Sequence, residues 1–541
     1  MAIFVLDISN SQLLFNERVA EELAAAGHDV TMILMTPQDD RDNTDIRIKS
    51  RIKGEWCSPF QGLDASLRLS RVNELTPLPT TVHVVKATVK LSRKEMEDKE
   101  EEFIYEEAPG WKMIERLKMQ TTLLVETCRA TLEQPDFLEW LEEQHFDVAF
   151  APMFDVCTVG LVHAAKIPSW IWLNSGSVMD YIAYLTGIPI IPSYVPPMMM
   201  EAAGDLNFIQ RIKSMIGHGL TKLIWTRLVA VPQTQLFRTL ISPDFPDLQD
   251  LAAKCPLIMA NTNDLYELPR PTLAKVVNIG GVGMVSDVKP LSEKLPERIA
   301  KIMDKGDGAI LFSIGSVAPA YKMPMRWKKI FLETFKRFPN YQFLLRYEKD
   351  DIKDLLPPNV HLFTWMPQTD MLSHPKVRAF ITHGGYNSFQ EAVIAGVPLI
   401  TIPLFGDQSK NARLAEHHGF GLVLHKGELS VETLSGALEE ITTNPRYMET
   451  AQRLSRMLKL QPVKPADLLV RWSEFVAEFH TLENLEPAGI RLNFFQYYSL
   501  DVIALLLSAL LLIIVVVTKL LKCLFTRVFS LVFRSKKEKT A

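Results

Sequence analysis

The chain lacks a basic excess, a dense set of cysteines and a dinucleotide fingerprint near its start. Its formal charge is −4 over 541 residues. Nucleic-acid-binding chains normally carry a positive balance, so nucleic acid is not an expected partner. The five cysteines, Cys57, Cys128, Cys157, Cys255 and Cys523, lie far apart and form no Cys-x-x-Cys pair. That excludes a zinc ribbon, a thioredoxin-type centre and a disulfide-framed small domain, and leaves one or two structural disulfides open. No Gly-x-Gly-x-x-Gly follows the first apolar run. Gly280-Gly-Val-Gly283 joins no strand to a helix, which weakens a nicotinamide dehydrogenase reading. There is no Asn-x-Ser/Thr sequon to report topology. What is present is an ordinary folded composition, 47% hydrophobic and 23% charged, long enough for two domains of roughly 200 residues each.

The sharpest shift in composition is at the C-terminus. Val502 to Thr518 holds 17 residues without a charge. As a helix it is roughly 26 Å long, close to the thickness of a bilayer core. Tyr497 and Tyr498 precede it, where an interfacial aromatic belt belongs. Lys519, Lys522, Arg527, Arg534, Lys536, Lys537 and Lys539 follow it, whereas Arg491 is the only basic residue between Thr481 and Asp501. The positive-inside rule predicts a single span with residues 519–541 as a cytosolic tail and the bulk of the chain on the other side. A buried core helix would leave that asymmetry unexplained. Lys537 and Lys539 in the last five residues resemble a dilysine endoplasmic-reticulum retrieval signal; a plain basic membrane-proximal tail is the alternative. The start, MAIFVLDIS, has no basic n-region and no cleavage site and reads as a core strand. Either a signal peptide is missing from it or the span alone directs insertion.

Between the ends the pattern is α/β. Ile3 to Leu6 is a strand, Leu13 to Ala26 a helix closed by Gly27, and Val30 to Met35 a second strand, which predicts a β-α-β unit opening a parallel sheet. Phe146–Ala151 and Trp170–Leu173 are further buried strands, Leu257 to Asn261 ends the first half, and Ser92 to Glu107 reads as a solvated helix face. Ile188 to Met200, rich in Pro and Met, leads into a helical stretch from Phe208 to Val229. That region suits an acceptor pocket or a membrane contact, with ordinary core packing as the expectation. A Pro- and Gly-rich linker is placed at 266–300, after a first domain at 1–265. A second α/β series follows at 301–495, with strands at Ala309–Ser313, Tyr341–Arg346, His361–Phe363, Ala379–Thr382, Leu399–Pro403 and Leu422–Leu424.

The informative block runs from Trp365 to Gln408. Strand Ala379–Thr382 breaks into His383-Gly-Gly-Tyr386, and a helix follows from about Asn387 to Ala395. Glycines such as Gly385 let backbone approach a ligand, and the helix start favours an anion. Asn387 and Ser388 are suitable N-cap residues. Glu391 lies one turn on, where a carboxylate suits ribose hydroxyls rather than phosphate. Trp365 offers a stacking face and Gln368 a donor and acceptor for a planar base. Asp407 and Gln408 suit sugar hydroxyls, and Ser313, Gly315 and Ser316 form another small-residue loop for phosphate. All of these loops leave carboxyl ends of strands, where open α/β sheets bind ligands.

Phe380 to Gln408, FITHGGYNSFQEAVIAGVPLITIPLFGDQ, resembles the donor-binding signature of the UDP-glycosyltransferases. The resemblance extends to Ala26-Gly-His-Asp-Val30, Phe146-Asp-Val148, Phe312-Ser-Ile-Gly-Ser316, Trp365-x-x-Gln368 and Leu500-Asp-Val502. Its order is similar to the animal, nematode-like, membrane-bound branch. It implies two facing Rossmann-like domains of the GT-B type, with an apolar acceptor in the first and the UDP-sugar in the second. It also implies no metal and no cofactor beyond the co-substrate, UDP-glucose or UDP-glucuronic acid. Asp40-Arg-Asp42 is then a charged loop rather than a metal motif. His417 and His418 are read as surface residues and His28 as structural. Homo- and hetero-oligomers both stay open.

The same resemblance exposes a departure. The family's reaction is an inverting displacement in which a His base, oriented by an Asp, takes the acceptor proton. Sixteen residues before His28 that His position falls on Gln12, and the Asp position falls on Pro152. An amide has no useful basicity near neutral pH. Asp155, three residues on, is the candidate substitute. Otherwise the acceptor is acidic or nucleophilic enough to need little base, or the chain binds UDP-sugar as an inactive partner subunit.

Overall fold

The computed structural model describes residues 1–7, 10–37, 80–87, 104–105, 110–284, 295–315 and 318–538. Met1–Glu486 forms one compact unit and Pro487–Ala541 a second. The first unit is built on two parallel sheets. One contains β1 (Ala2–Leu6), β2 (Thr31–Thr36), β3 (Thr81–Lys86), β4 (Ala149–Pro152), β5 (Trp170–Asn174), β6 (Leu257–Ala260) and β7 (Val276–Asn278), in the order β3-β2-β1-β4-β5-β6-β7. The other contains β8 (Gly308–Ser313), β9 (Tyr341–Arg346), β10 (Val360–Phe363), β11 (Val377–Thr382), β12 (Leu399–Thr401) and β13 (Gly421–Val423), in the order β10-β9-β8-β11-β12-β13. Strands β1, β2, β4 and β8 are buried along their whole length. That explains their unbroken apolar sequences: each faces helices on both sides. The strand order reverses between β1 and β4 and again between β8 and β11, which opens a crevice at the carboxyl ends of each pair.

The helices that matter below are α1 (Asn10–Ala25), α2 (Gly110–Leu132), α3 (Cys157–Ala164), α4 (Phe208–Trp225), α5 (Tyr386–Ala395), α6 (Gln408–His417), α7 (Pro465–Phe479) and, in the second unit, α8 (Leu500–Glu538). Cys128 on α2 is disulfide-bonded to Cys157 at the start of α3, while Cys255 is free and buried and Cys523 is free and exposed. Within α8, Leu500–Ser530 is long and apolar enough to cross a membrane, and none of its most apolar stretch is buried against protein.

The two-sheet architecture is the one expected, with several differences in detail. Strand β3 is absent from the sequence reading, because TVHVVK is short and set among polar segments. Strand β7 lies inside the stretch read as a linker and pairs with β6. Helix α7 lies in the segment placed with the second domain, yet it packs on the first sheet. Leu469 and Val476 are buried with Ile3, Val5 and Phe15, and Glu474 takes His28 Nε2 at 3.1 Å. Of the segment read as a solvated face, Ile104 and Tyr105 are described and are buried in the second sheet's core, with the Tyr105 hydroxyl donating to Pro319 O at 2.7 Å. The rest of Ser92–Glu107, the Asp40-Arg-Asp42 loop and Ser316 lie outside the described residues. His417 is exposed as expected, whereas His418 is half-buried and bonded to Tyr266 O at 2.9 Å.

Candidate active site

Two neighbouring strands, β8 and β11, end side by side, and their loops define the site. The His383 imidazole follows β11 and lies between Gly315, in the loop after β8, and Gly385. A Cβ at Gly315 would come within 2.6 Å of the ring, and one at Gly385 would overlap it. Gly315 also has φ +82°, a left-handed conformation that suits glycine. Thr382 Oγ1 contacts His383 Nδ1 at 3.2 Å. Burial pushes the His383 pKa down to about 4, and the Arg346 guanidinium adds to the shift. The ring is therefore neutral at pH 7, with a single N–H, and a backbone hydrogen bond at Ser313 works against the shift.

Helix α5 starts at Tyr386 with Gly385 at its N-cap position, so Asn387 and Ser388 are first-turn residues rather than caps. Asn387 instead crosses to the first sheet's side: its Nδ2 donates to Ser11 O at 3.2 Å, while its Oδ1 is buried without a partner. Gln368 Nε2 donates to Ser388 Oγ at 3.1 Å and to Glu391 Oε2 at 2.7 Å. The other Glu391 oxygen takes Arg18 Nη2, from α1, at 3.4 Å. Gln368, Ser388 and Glu391 thus form one cluster, and Gln368 is committed to holding the carboxylate. Trp365 is 54% exposed, with the Arg346 guanidinium 5.3 Å from its ring centre, and the exposed part of the ring is a surface on which a base could stack.

Asp407 precedes α6 and accepts from Asn411 Nδ2 at 3.0 Å, and burial raises its pKa. The Gln408 amide oxygen accepts from Leu404 N at 2.8 Å and Phe405 N at 3.1 Å. The Gln408 oxygen thus holds its own loop, which leaves the NH₂ group as the part of this side chain that could meet a sugar hydroxyl.

The catalytic candidates fare differently. Gln12 sits in the first turn of α1, its carbonyl accepting from Asn16 Nδ2 at 2.8 Å, one residue after the Ser11 carbonyl that Asn387 touches. Position 12 therefore stands beside the start of α5. Asp155 is not placed as a base. It is 4% exposed, and its oxygens accept from Gln233 Nε2 at 2.9 Å and Cys157 N at 3.2 Å. Gln233 in turn accepts from Val156 N at 3.1 Å. The carboxyl is a buried brace for the β4–α3 turn, beside the disulfide. Burial pushes its pKa up to about 6. A carboxyl whose pKa is raised by folding favours the fold below its unfolded value near 4 and loses that contribution as pH rises to about 6. Asp155→Asn is expected to remove this loss. Between pH 4 and 7 the wild type should lose about 3 kcal/mol more stability than the variant in urea titrations. Parallel profiles would refute that placement.

Sequence reasoning missed three residues here. Arg18 lies on a helix face otherwise packed by Phe15 and Val19, and a lone cation on an apolar stripe is its only local signal. Gln390 on α5 is fully buried, its Nε2 donating to Asn261 O at 2.8 Å and to Tyr266 Oη at 2.7 Å, which ties α5 to the end of β6. Lys410 on α6 reaches Ser177 Oγ at 3.1 Å and Glu267 Oε1 at 2.7 Å. All three bridge the two sheets' regions. Arg18→Ala is expected to raise KM for a UDP-sugar about tenfold, the equivalent of about 1.4 kcal/mol, with a smaller change in kcat. Arg18→Lys should recover part of it. An unchanged KM would remove Arg18 from the donor site. Among the described residues, no group of three or more His, Cys, Asp or Glu side chains is arranged to hold a metal ion.

Comparison with known proteins bears on the family and the fold. The family model described as "UDP-glucoronosyl and UDP-glucosyl transferase" matches residues 67–536. A putative UDP-glucuronosyltransferase of Caenorhabditis elegans, ugt-48, is 34% identical over 382 residues, covering 70% of this chain and 72% of its own. Mouse UDP-glucuronosyltransferase 1A1 is 32% identical over 410 residues, covering 75% and 74%. Among solved structures, a UDP-glucosyltransferase from Polygonum tinctorium capable of glucosylating indoxyl superposes with a TM-score of 0.56 at 15% identity, covering 88% of this chain and 98% of that one. The glycotransferase of kitacinnamycin gives the same TM-score at 16% identity, covering 88% and 97%. These structural neighbours establish the two-sheet GT-B fold. With the family match over most of its length, the chain belongs to the UDP-glucuronosyl and UDP-glucosyl transferase family.

Proposed function

We propose that the chain transfers a hexosyl or glucuronosyl group, with inversion, from UDP-glucose or UDP-glucuronic acid to a small lipophilic acceptor, xenobiotic or endogenous. The observation that carries this reading is the Gln368–Ser388–Glu391 cluster joined by Arg18, on the helix that follows His383. A held carboxylate suits ribose hydroxyls, and a neutral imidazole N–H at a helix start suits diphosphate. The acceptor oxygen or nitrogen attacks the anomeric carbon, the bond to UDP breaks, and the acceptor proton passes to solvent, before attack for a phenol or carboxylic acid and after it for an amine. The charge growing on the diphosphate is met by His383 and the α5 start. Ser316, Trp365, Asp407 and Gln408 complete the donor site in this reading.

Neither candidate base suits proton abstraction, and this reading of the acceptor rests on that. Gln12 has no useful basicity, and Asp155 is enclosed by Gln233 and Cys157. We therefore assign acceptors that carry their own acidity or nucleophilicity, namely phenols, carboxylic acids and amines. The chain is further proposed to be a single-pass membrane protein of the endoplasmic reticulum. Its catalytic part would be lumenal and the basic tail after Leu500–Ser530 cytosolic. The test is UDP release from each UDP-sugar with a panel of phenols, acids, amines and aliphatic alcohols, on wild type and Gln12→His. Wild type should turn over the first three classes and not the alcohols, and Gln12→His should extend turnover to alcohols. UDP binding without release for any acceptor would favour a non-catalytic partner subunit.

A further inference from the structure

Charges from both sheets' regions meet at the start of α6. Asp407 and Gln408 are fixed there beside the His383-Gly-Gly turn, because Asn411 Nδ2 donates both to Asp407 Oδ2 at 3.0 Å and to Gly384 O at 2.9 Å. Lys410, in the first turn of the same helix, is nearly buried, with its Nζ 2.7 Å from Glu267 Oε1. Glu267 comes from the chain after β6. The same Nζ donates to Ser177 Oγ, after β5, at 3.1 Å. Glu267 Oε1 also accepts from Leu268 N at 3.0 Å, while its Oε2 is buried and meets no donor among the described residues. Arg413, further along α6, is held by Glu201 and Glu416. Lys410 and Arg413 are thus each matched by carboxylates. Burial raises the Asp407 pKa, and the Glu267 charge adds to the shift while Lys410 opposes it, so Asp407, Lys410 and Glu267 share one field.

Resting on the reading of Asp407 and Gln408 as the sugar end of a UDP-sugar site, we propose that Glu267 sets the sugar specificity. It occupies Lys410 and offers Oε2 to a hydroxyl, so the site takes a UDP-activated neutral hexose and rejects UDP-glucuronic acid. The two donors differ at one place: carbon 6 bears a hydroxyl in glucose and a carboxylate in glucuronic acid. A hydroxyl donates a hydrogen bond, and a buried carboxylate oxygen is costly to leave without one. A sugar carboxylate donates none. It meets the Asp407 and Glu267 carboxylates with Lys410 already engaged. Like charges brought together in a buried site select against the wrong ligand. Handing Lys410 to the sugar instead strips a mostly buried Glu267 of its partner, which is costly. Arg116, whose guanidinium lies 5.0 Å from the ring centre of Phe405, in the loop before Asp407, is the cation through which the opposite choice would be made.

The test is binding, which does not require turnover. The full chain in detergent micelles is titrated calorimetrically with UDP, UDP-glucose and UDP-glucuronic acid. UDP-glucose is expected to bind about tenfold or more tightly than UDP-glucuronic acid. Glu267→Gln, which keeps the shape and frees Lys410, should shrink that ratio about tenfold while the Kd for UDP stays within about threefold. Glu267→Asp, which keeps the charge, should retain the preference for glucose. Constant UDP affinity separates lost selectivity from lost folding, and the wild-type ratio decides the donor even where a variant fails to fold. Equal or tighter binding of UDP-glucuronic acid by wild type overturns the proposal, and its loss in Arg116→Gln would then place the sugar carboxylate on Arg116. An unchanged ratio in Glu267→Gln, with UDP still bound, overturns the role of Glu267 while leaving the donor site standing. Failure of all three ligands to bind wild type overturns the proposal together with the donor-site reading beneath it.

Discussion

His383→Ala is expected to lower acceptor-dependent UDP release by about 10²–10³-fold, the usual cost of deleting one donor aimed at developing charge. The basis is geometric. The ring is walled by Gly315 and Gly385, and burial keeps it neutral with a pKa of about 4. The ring therefore stays neutral between pH 6 and 9, and this residue contributes no inflection to the rate profile there. Gly385→Ala provides an independent check. The added methyl would overlap the imidazole and displace it, so the variant should reproduce most of the loss with the fold intact. Steady-state UDP release at saturating donor measures both. If either variant keeps more than about a tenth of the wild-type rate, the placement of His383 beside the leaving group is wrong.

Cys128→Ser with Cys157→Ser is expected to cost roughly 3–4 kcal/mol of stability, from the entropy that a bridge over this loop removes from the unfolded chain. The two residues are 29 apart in sequence and tie α2 to the first residue of α3. That residue's N–H also donates to Asp155, so the bridge steadies the brace behind β4 as well. Urea unfolding under non-reducing conditions tests this. Wild type with a thiol reductant should fall to the variant's midpoint, and the variant should not respond to reductant. A wild type indifferent to reductant would show that the bridge does not form or does not matter.

The fold was legible in sequence wherever structure is set by neighbours. Strands such as Ala2–Leu6 and Gly308–Ser313 are unbroken apolar runs because both faces are covered. The His383-Gly-Gly-Tyr386 turn announces itself by its glycines, and Glu391 by its place one turn along the same helix. Val276–Asn278 was not legible: three residues carry no periodicity, and a Pro- and Gly-rich context argues for a loop. Thr81–Lys86 was missed for a similar reason. Helix α4 misleads in the opposite direction. Its apolar spacing announces a helix but does not say which face is buried, since apolar residues line much of its circumference and the inward side is chosen by Ser214, His218 and Trp225.

By itself the sequence determined the family, the parallel α/β architecture and an apolar segment fit to cross a membrane. These are local properties, carried by spacing, turn chemistry and composition over a few tens of residues. Tertiary structure alone decided which distant groups meet. Arg18 reaches Glu391 across 373 residues, Gln233 encloses Asp155 across 78, and Cys128 finds Cys157 rather than another cysteine. It also turned Asp155 from a candidate base into a brace, and turned the apolar face of α4 outward. No periodic pattern encodes such pairings. They depend on how the sheets, once formed, bring loop ends and helix faces together, and on the cost of leaving a buried polar group without a partner.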